Sequence, residues 1–215
     1  MNQYIREPIN GFTHLAGAVL AFIGLLAMVI KASGNSASPL AISAVIIFGI
    51  SMILLYSASA AYHMVIAKKK VIHFLRRIDH SMIYILIAGT YAPFCLITLN
   101  GVTGWILFSI VMLAAVLGVV FKLVWFRSPR WLSTGLYIAM GWLIILASSP
   151  LSANLPAGGM VLLVSGGILY TIGGFIYGFK PEFMKSRHLG YHEIFHIFIL
   201  LGSLAHFSSV YFYVI

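Results

Sequence analysis

Carboxylates are almost missing from this chain. Glu7, Asp79, Glu182 and Glu193 are the only acids in 215 residues, and charged residues of every kind make up 8%. A soluble domain averages nearer 25% charged, so a water-soluble fold is excluded. Cysteine is scarce too. Cys95 stands alone, which rules out an intrachain disulfide, and its place in an apolar run marks it as a small packing residue. Long polar stretches are also lacking, which leaves no space for a separate soluble domain. What fills the chain is hydrophobic, 61% of it. A spanning helix needs ~20 mainly apolar residues, so the length accommodates seven spans and short loops. The expected fold is an all-α membrane protein, a seven-transmembrane helix bundle forming a single domain over residues 1–215.

The first apolar run, from Gly11 to Ile30, is too long for a signal peptide and lacks a small-residue cleavage site, so it reads as a retained first span. The other spans are expected over Leu40 to Ile66, Asp79 to Leu99, Gly104 to Trp125, Trp131 to Ala147, Gly159 to Phe179 and Leu189 to Val214. Asn100-Gly101 marks a tight turn, and Ser148 to Gly158 reads as an uncharged loop with two prolines. Pro93 falls inside the third span, where it removes a backbone hydrogen bond and predicts a kink. Gly166-Gly167 and Gly173-Gly174 predict close helix approach in the sixth. Trp105, Trp125 and Trp131 sit at span ends, as interfacial anchors do.

The net charge is +9, but the cations are grouped. The N-terminal tail and the connections after spans two, four and six hold twelve of the thirteen Lys and Arg, counting Lys122 at the end of span four; Lys31 is the exception. Membrane topology accounts for that grouping. It places the N-terminus in the cytoplasm and the C-terminus outside, in the cell inner (cytoplasmic) membrane. The partners expected are membrane lipids. Nucleic acid is not expected, no soluble partner is evident, and the oligomeric state is open.

Ionisable groups inside a membrane are expensive and mark function. His192-Glu193-Ile194-Phe195-His196 matches the H-E-x-x-H pattern of zinc proteases. Residues four apart on a helix share a face, about 5–6 Å apart between Cβ atoms. His63 lies five residues before Lys68, and His192 five after Arg187, so both sit ~7 Å inside the same edge. His196 is one turn deeper, and Asp79 begins span three on that side. Such histidines either bind a metal or hydrogen-bond neighbouring helices; the shared depth of His63, Asp79, His192 and His196 favours the metal. Three imidazoles with one open position form a catalytic zinc pattern, and Asp79 could orient a water or take its proton. Ser59 shares the face of His63, to bond water, substrate or the carbonyl one turn back. Glu193 is rotated ~100° off the ligand face and reads first as a helix-end polar residue. His14 reads as a residue supporting the site or a headgroup contact. His80 is expected to turn away from Asp79, and His206, ~15 Å beyond His196, to bond within the bundle. His73, His188 and Glu182 read as solvated loop residues.

The set Ser59-x3-His63, Asp79 and His192-x3-His196 resembles the signature of the progestin and adipoQ receptor family, and more closely its bacterial hemolysin III branch. Thr13-His14, the stretch from Gly89 to Phe94 and His206-Phe207 add to the likeness, which extends over all seven spans. The resemblance implies a zinc ion (Zn2+) held by His63, His192 and His196 near the cytoplasmic face. It matches Asp79 to an acidic residue near the metal-bound water and Ser59 to the hydroxyl of the first motif. Related proteins in the superfamily hydrolyse ceramide, and the animal receptors carry a long N-terminal domain that this sequence does not show.

The leading expectation is a zinc-dependent hydrolase of a lipid amide or ester near the cytoplasmic leaflet, with Asp79 and Ser59 as catalytic groups and His14 and Glu193 beside the site. Three alternatives stand against it. One is a non-enzymatic regulator of membrane homeostasis with structural zinc, one a membrane-lytic protein, and one an intramembrane protease using Glu193.

Overall fold

The computed structural model describes residues 4–180 and 190–215. Among them every regular element is helical, and seven helices are long and apolar enough to cross a membrane. These are α1 (Pro8–Gly34), α2 (Pro39–Met64), α3 (Lys69–Leu99), α4 (Gly101–Val124), α5 (Arg130–Asn154), α6 (Ala157–Phe179) and α7 (Tyr191–Val214). Glu182, Lys185, Arg187, His188 and Leu189, given places in the last loop and span by the sequence, lie outside the described residues.

The helix starts follow local chemistry. Pro8 and Pro39 occupy first-turn positions, where the missing N–H costs no helical bond. The Ser38 hydroxyl accepts from the Ala41 N–H at 3.2 Å and caps α2. Asn100 and Gly101 both take positive φ, 46° and 69°, which turns the chain tightly between α3 and α4.

Two expectations are corrected. Lys69, Lys70, Arg76 and Arg77 are not in a loop: α3 starts at Lys69, ten residues before Asp79. Long cationic side chains can reach water from a helix that continues beyond the apolar layer, so charge alone did not end it. The Ser148 to Gly158 stretch is also mostly helix, because α5 runs on to Asn154. The reason is a change of winding. α5 is α-helical to Gly141, 3-10 over Trp142–Ala147 and α-helical again over Ser148–Asn154. Pro150 therefore falls in the first turn of a restarted helix, where it is tolerated.

Tyr91 of α3 marks that change. Its hydroxyl lies 2.7 Å from the Gly141 carbonyl and 2.9 Å from the Met140 carbonyl, and accepts from the Ile144 N–H at 2.9 Å. A side chain inserted into the helical hydrogen-bond ladder is one of the few causes of a sharp break. Two residues further on, Pro93 ends the α-helical part of α3, and Phe94–Leu99 continues as a π-helix.

α1 packs on α2, α2 on α3, α3 on α4, α5 on α6 and α6 on α7, with α7 returning against α1. α3 is the central helix. It buries 67% of its apolar window, against 17–50% for the others. The outward side chains, such as Leu20, Ile30, Val102, Leu117 and Leu146, are apolar and exposed, as a lipid-facing surface requires. The glycine pairs of α6 serve two neighbours. A Cβ on Gly166 would come within 2.7 Å of His206 on α7, whereas one on Gly174 would meet Thr134 of α5 at 3.2 Å. At the end opposite the basic helix ends, the Lys31 ammonium donates to the Tyr211 carbonyl and joins α1 to α7.

Tyr91→Phe leaves the half-buried Ile144 N–H without its acceptor. The expected loss is about 1–3 kcal/mol, read as a lower unfolding midpoint in detergent.

Candidate metal centre

α2 ends and α7 begins at the same end of the bundle. His63 lies in the last turn of α2, and His192 and His196 occupy the first two turns of α7. One ligating atom from each lies within 4.8 Å of the other two, so the three could hold a metal ion. The Nε2 atoms of His63 and His192 are 3.3 Å apart. Two nitrogens bound tetrahedrally to one zinc at 2.0–2.1 Å are themselves about 3.4 Å apart. The spacing therefore suits a shared ion, and an all-imidazole donor set suits zinc, copper, iron or nickel. His63 and His196 are buried and His192 is half-buried.

Glu7 enters the site, and the sequence reading gave it no role. Its Oε2 accepts from His63 Nδ1 at 2.5 Å, while its backbone N–H donates to the His63 carbonyl at 3.0 Å. A carboxylate on Nδ1 holds the imidazole in the tautomer whose Nε2 is free to ligate. Arg6 secures Glu7. Its Nε is 3.3 Å from Glu7 Oε1, and its guanidinium donates to the Tyr62 carbonyl at 2.5 Å while lying 4.2 Å from the Tyr62 ring centroid. Two signals could have found it. Glu7 is one of four acids, and Pro8 starts α1 immediately after it, at the end where α2 finishes.

The other expected site residues separate into distinct places. Asp79 and Ser59 line an apolar cavity of about 180 Å³ together with His14, His192 and His196. Asp79 is buried, and its Oδ2 is 3.3 Å from His80 Nδ1. His80 thus turns back toward Asp79 rather than away, because its ring is also held by the Tyr177 hydroxyl, 3.0 Å from Nε2. Ser59 Oγ is buried near the Asp79 carboxylate, without a hydrogen bond of normal geometry among the described residues. His14 stacks flat on His196, with ring centroids 3.6 Å apart, and neither of its nitrogens is bonded among the described residues.

Glu193 stands at the helix start. Its Oε2 accepts from the Gly190 N–H at 2.9 Å and its Oε1 from Asn10 Nδ2 at 3.0 Å. Both oxygens are engaged in capping α7 and tying it to α1. His206 is buried against Tyr170 and Gly166, but its Nδ1 has no hydrogen-bond partner among the described residues. The expected bond within the bundle is not seen among the described residues; the neighbouring Tyr170 hydroxyl meets Ser203 instead, at 2.7 Å. His73 is exposed.

His63→Ala, His192→Ala and His196→Ala are each expected to abolish stoichiometric metal, measured by mass spectrometry of the purified protein, and His206→Ala to leave it intact. Glu7→Gln weakens the hold on His63 and is expected to lower metal affinity about 10- to 100-fold, measured by chelator competition.

The chain as a whole is similar to known proteins. The family model described as Haemolysin-III related matches residues 2–207. The chain is 42% identical to "Hemolysin-3" of Bacillus cereus over 216 residues, which covers 100% of this chain and 95% of that one. It is 43% identical to "Hemolysin-3 homolog" of Bacillus subtilis (strain 168), covering 97% and 95%. More distantly, it is 27% identical to "Heptahelical transmembrane protein 1" of Arabidopsis thaliana, covering 96% of this chain and 69% of the plant protein. With a family match over nearly its whole length and seven spanning helices, the chain is a multi-pass membrane protein that belongs to the haemolysin-III related family.

Proposed function

We propose that the protein is a zinc-dependent hydrolase of a lipid amide or ester. One observation carries the reading: His192 and His196 of the three-imidazole cluster also form the wall of an apolar cavity that contains Asp79 and Ser59. A metal serving only to join α2 and α7 would not need a carboxylate and an unbonded hydroxyl in such a cavity.

When bound, zinc supplies Lewis acidity toward a carbonyl oxygen and toward water. The chain does the rest. Asp79 takes the proton of the attacking water and returns it to the departing amine or alcohol. His80, held by Tyr177, keeps the Asp79 carboxylate oriented. Ser59 offers its free hydroxyl to the substrate carbonyl. Apolar walls that include Leu86, Phe94, Leu151 and Leu163 receive an acyl chain and exclude bulk water. The basic end of the bundle faces the cytoplasm, because twelve of thirteen Lys and Arg belong to that side. The reaction then belongs to the cytoplasmic leaflet of the inner membrane.

The names of the Bacillus relatives support a second reading, membrane lysis with a structural metal. Both readings are tested together. Zinc-loaded protein is incubated with lipid amides and esters, and products are identified by mass spectrometry beside a liposome-leakage assay. Asp79→Asn is expected to lose about 10²- to 10⁴-fold in turnover while retaining zinc, and Glu193→Gln to keep turnover. Undiminished turnover in Asp79→Asn removes the proton-transfer role. Leakage without any hydrolysis product favours lysis.

A further inference from the structure

A second cavity lies against the metal centre. It measures about 310 Å³ and shares His63 and His192 with the imidazole cluster, and His80, Tyr177 and His192 with the apolar cavity. Its lining differs in kind, being charged: Arg76 of α3 and Arg130 of α5 belong to it, and so do Glu7 and Glu193. Of the three imidazoles, His196 lines only the apolar cavity, His63 only the second, and His192 both.

The two arginines have no acid to answer them among the described residues. Glu7 is taken by His63 and Arg6, Asp79 lies against His80, and Glu193 caps α7 and binds Asn10. None of these three acids pairs with Arg76 or Arg130. Nor are the guanidinium groups simply out in water, as topology alone would place them. Both residues are half-buried; Arg130 lies over the Tyr177 ring at 5.7 Å and Arg76 over the Phe126 ring at 5.3 Å. Arg130 Nη1 is fully buried and has no hydrogen-bond partner among the described residues. A buried N–H of a cation without an acceptor is costly and rare in a native structure. An oxyanion in the cavity supplies that acceptor, and guanidinium groups match phosphate and carboxylate geometry.

We infer that the cavity formed by Arg76 and Arg130 is a headgroup site, and that the lipid it takes carries a phosphate or carboxylate close to its acyl carbonyl. The acyl chain lies in the apolar cavity, the carbonyl at the imidazoles and the oxyanion between the two arginines. The placement of the carbonyl rests on the hydrolase reading. The anion site rests on the arginines alone.

The test uses the full zinc-loaded chain in neutral detergent with three short-chain probes: dioctanoyl phosphatidylglycerol, N-octanoylglycine and the uncharged dioctanoylglycerol. Affinity is measured by calorimetry, and product by mass spectrometry. Both anionic probes are expected to bind at least tenfold more tightly than dioctanoylglycerol. The double variant Arg76→Gln, Arg130→Gln is expected to erase that preference while dioctanoylglycerol binding and zinc content stay unchanged. The surface pair Lys69→Gln, Lys70→Gln removes the same charge and is expected to preserve it. The pair Arg76→Lys, Arg130→Lys, which keeps the charge, guards against misfolding and is expected to retain part of the preference. Equal affinity for all three probes overturns the inference, as does an equal loss from the lysine pair. Inorganic phosphate binding as tightly as the anionic lipids also overturns it, since the site would then hold a free anion. Anion preference without product leaves the headgroup site standing and removes the hydrolase reading. Product formed without anion preference does the reverse.

Discussion

A bilayer has no water to give a buried polar atom, so such an atom must find its bond within the chain or in a ligand, or else stand at a cost. Most are bonded, and the bonds join helices. Glu7 holds His63, the Tyr91 hydroxyl enters the ladder of α5, and Lys31 reaches the Tyr211 carbonyl. Tyr56 and Tyr170 meet on the Ser203 hydroxyl at 2.5 and 2.7 Å. Among the described residues, His14, Ser59, His80, Thr134, His196 and His206 keep buried polar atoms without a hydrogen-bond partner and line the apolar cavity, whereas Ser81, Tyr84 and Thr98 keep theirs away from both cavities. Those that line the cavity are open to a ligand, whereas unbonded atoms in packed regions are a cost to stability.

The imidazole cluster draws its strength from helix ends rather than helix middles. His63 is in the last turn of α2 and His192 in the first of α7, close to where the chain meets water. The carboxylate that supports His63 comes from the segment just before α1, and Glu193, capping α7, is bonded to Asn10 of α1. Three helices are thus fastened at one end by polar contacts, while the apolar cavity opens below them among α3, α5, α6 and α7. A site built this way adjoins two environments, since His192 lines both the cavity with the arginines and the one with aliphatic walls. Proposed catalysis and proposed headgroup recognition both follow from that boundary.

Much of this was legible from composition. Seven apolar runs separated by short polar stretches dictate seven helices, because no other open structure satisfies its backbone in lipid. Helix ends were less legible where charge was read as a boundary, as at Lys69 in α3, or proline as a loop, as at Pro150 in α5. Among candidate site residues, those at helical spacing or matching depth were visible, hence His192 with His196, and His63 with them. Glu7 was not, because its partner is 56 residues away and no periodicity connects them. His80 was misjudged for a similar reason. Its direction depends on Tyr177, which is remote in sequence.

By itself, the sequence determined the solvent, the number and order of the spans, and the end of the bundle where the ionisable groups gather. These are one-dimensional properties, set by hydropathy, helical rise and the order of residues along the chain. The tertiary structure decided which nitrogens face each other, which carboxylate stands behind His63, and that two cavities of opposite character meet at His192. Those depend on which helices are neighbours and how each is rotated, and rotation is settled by packing between segments far apart in the chain.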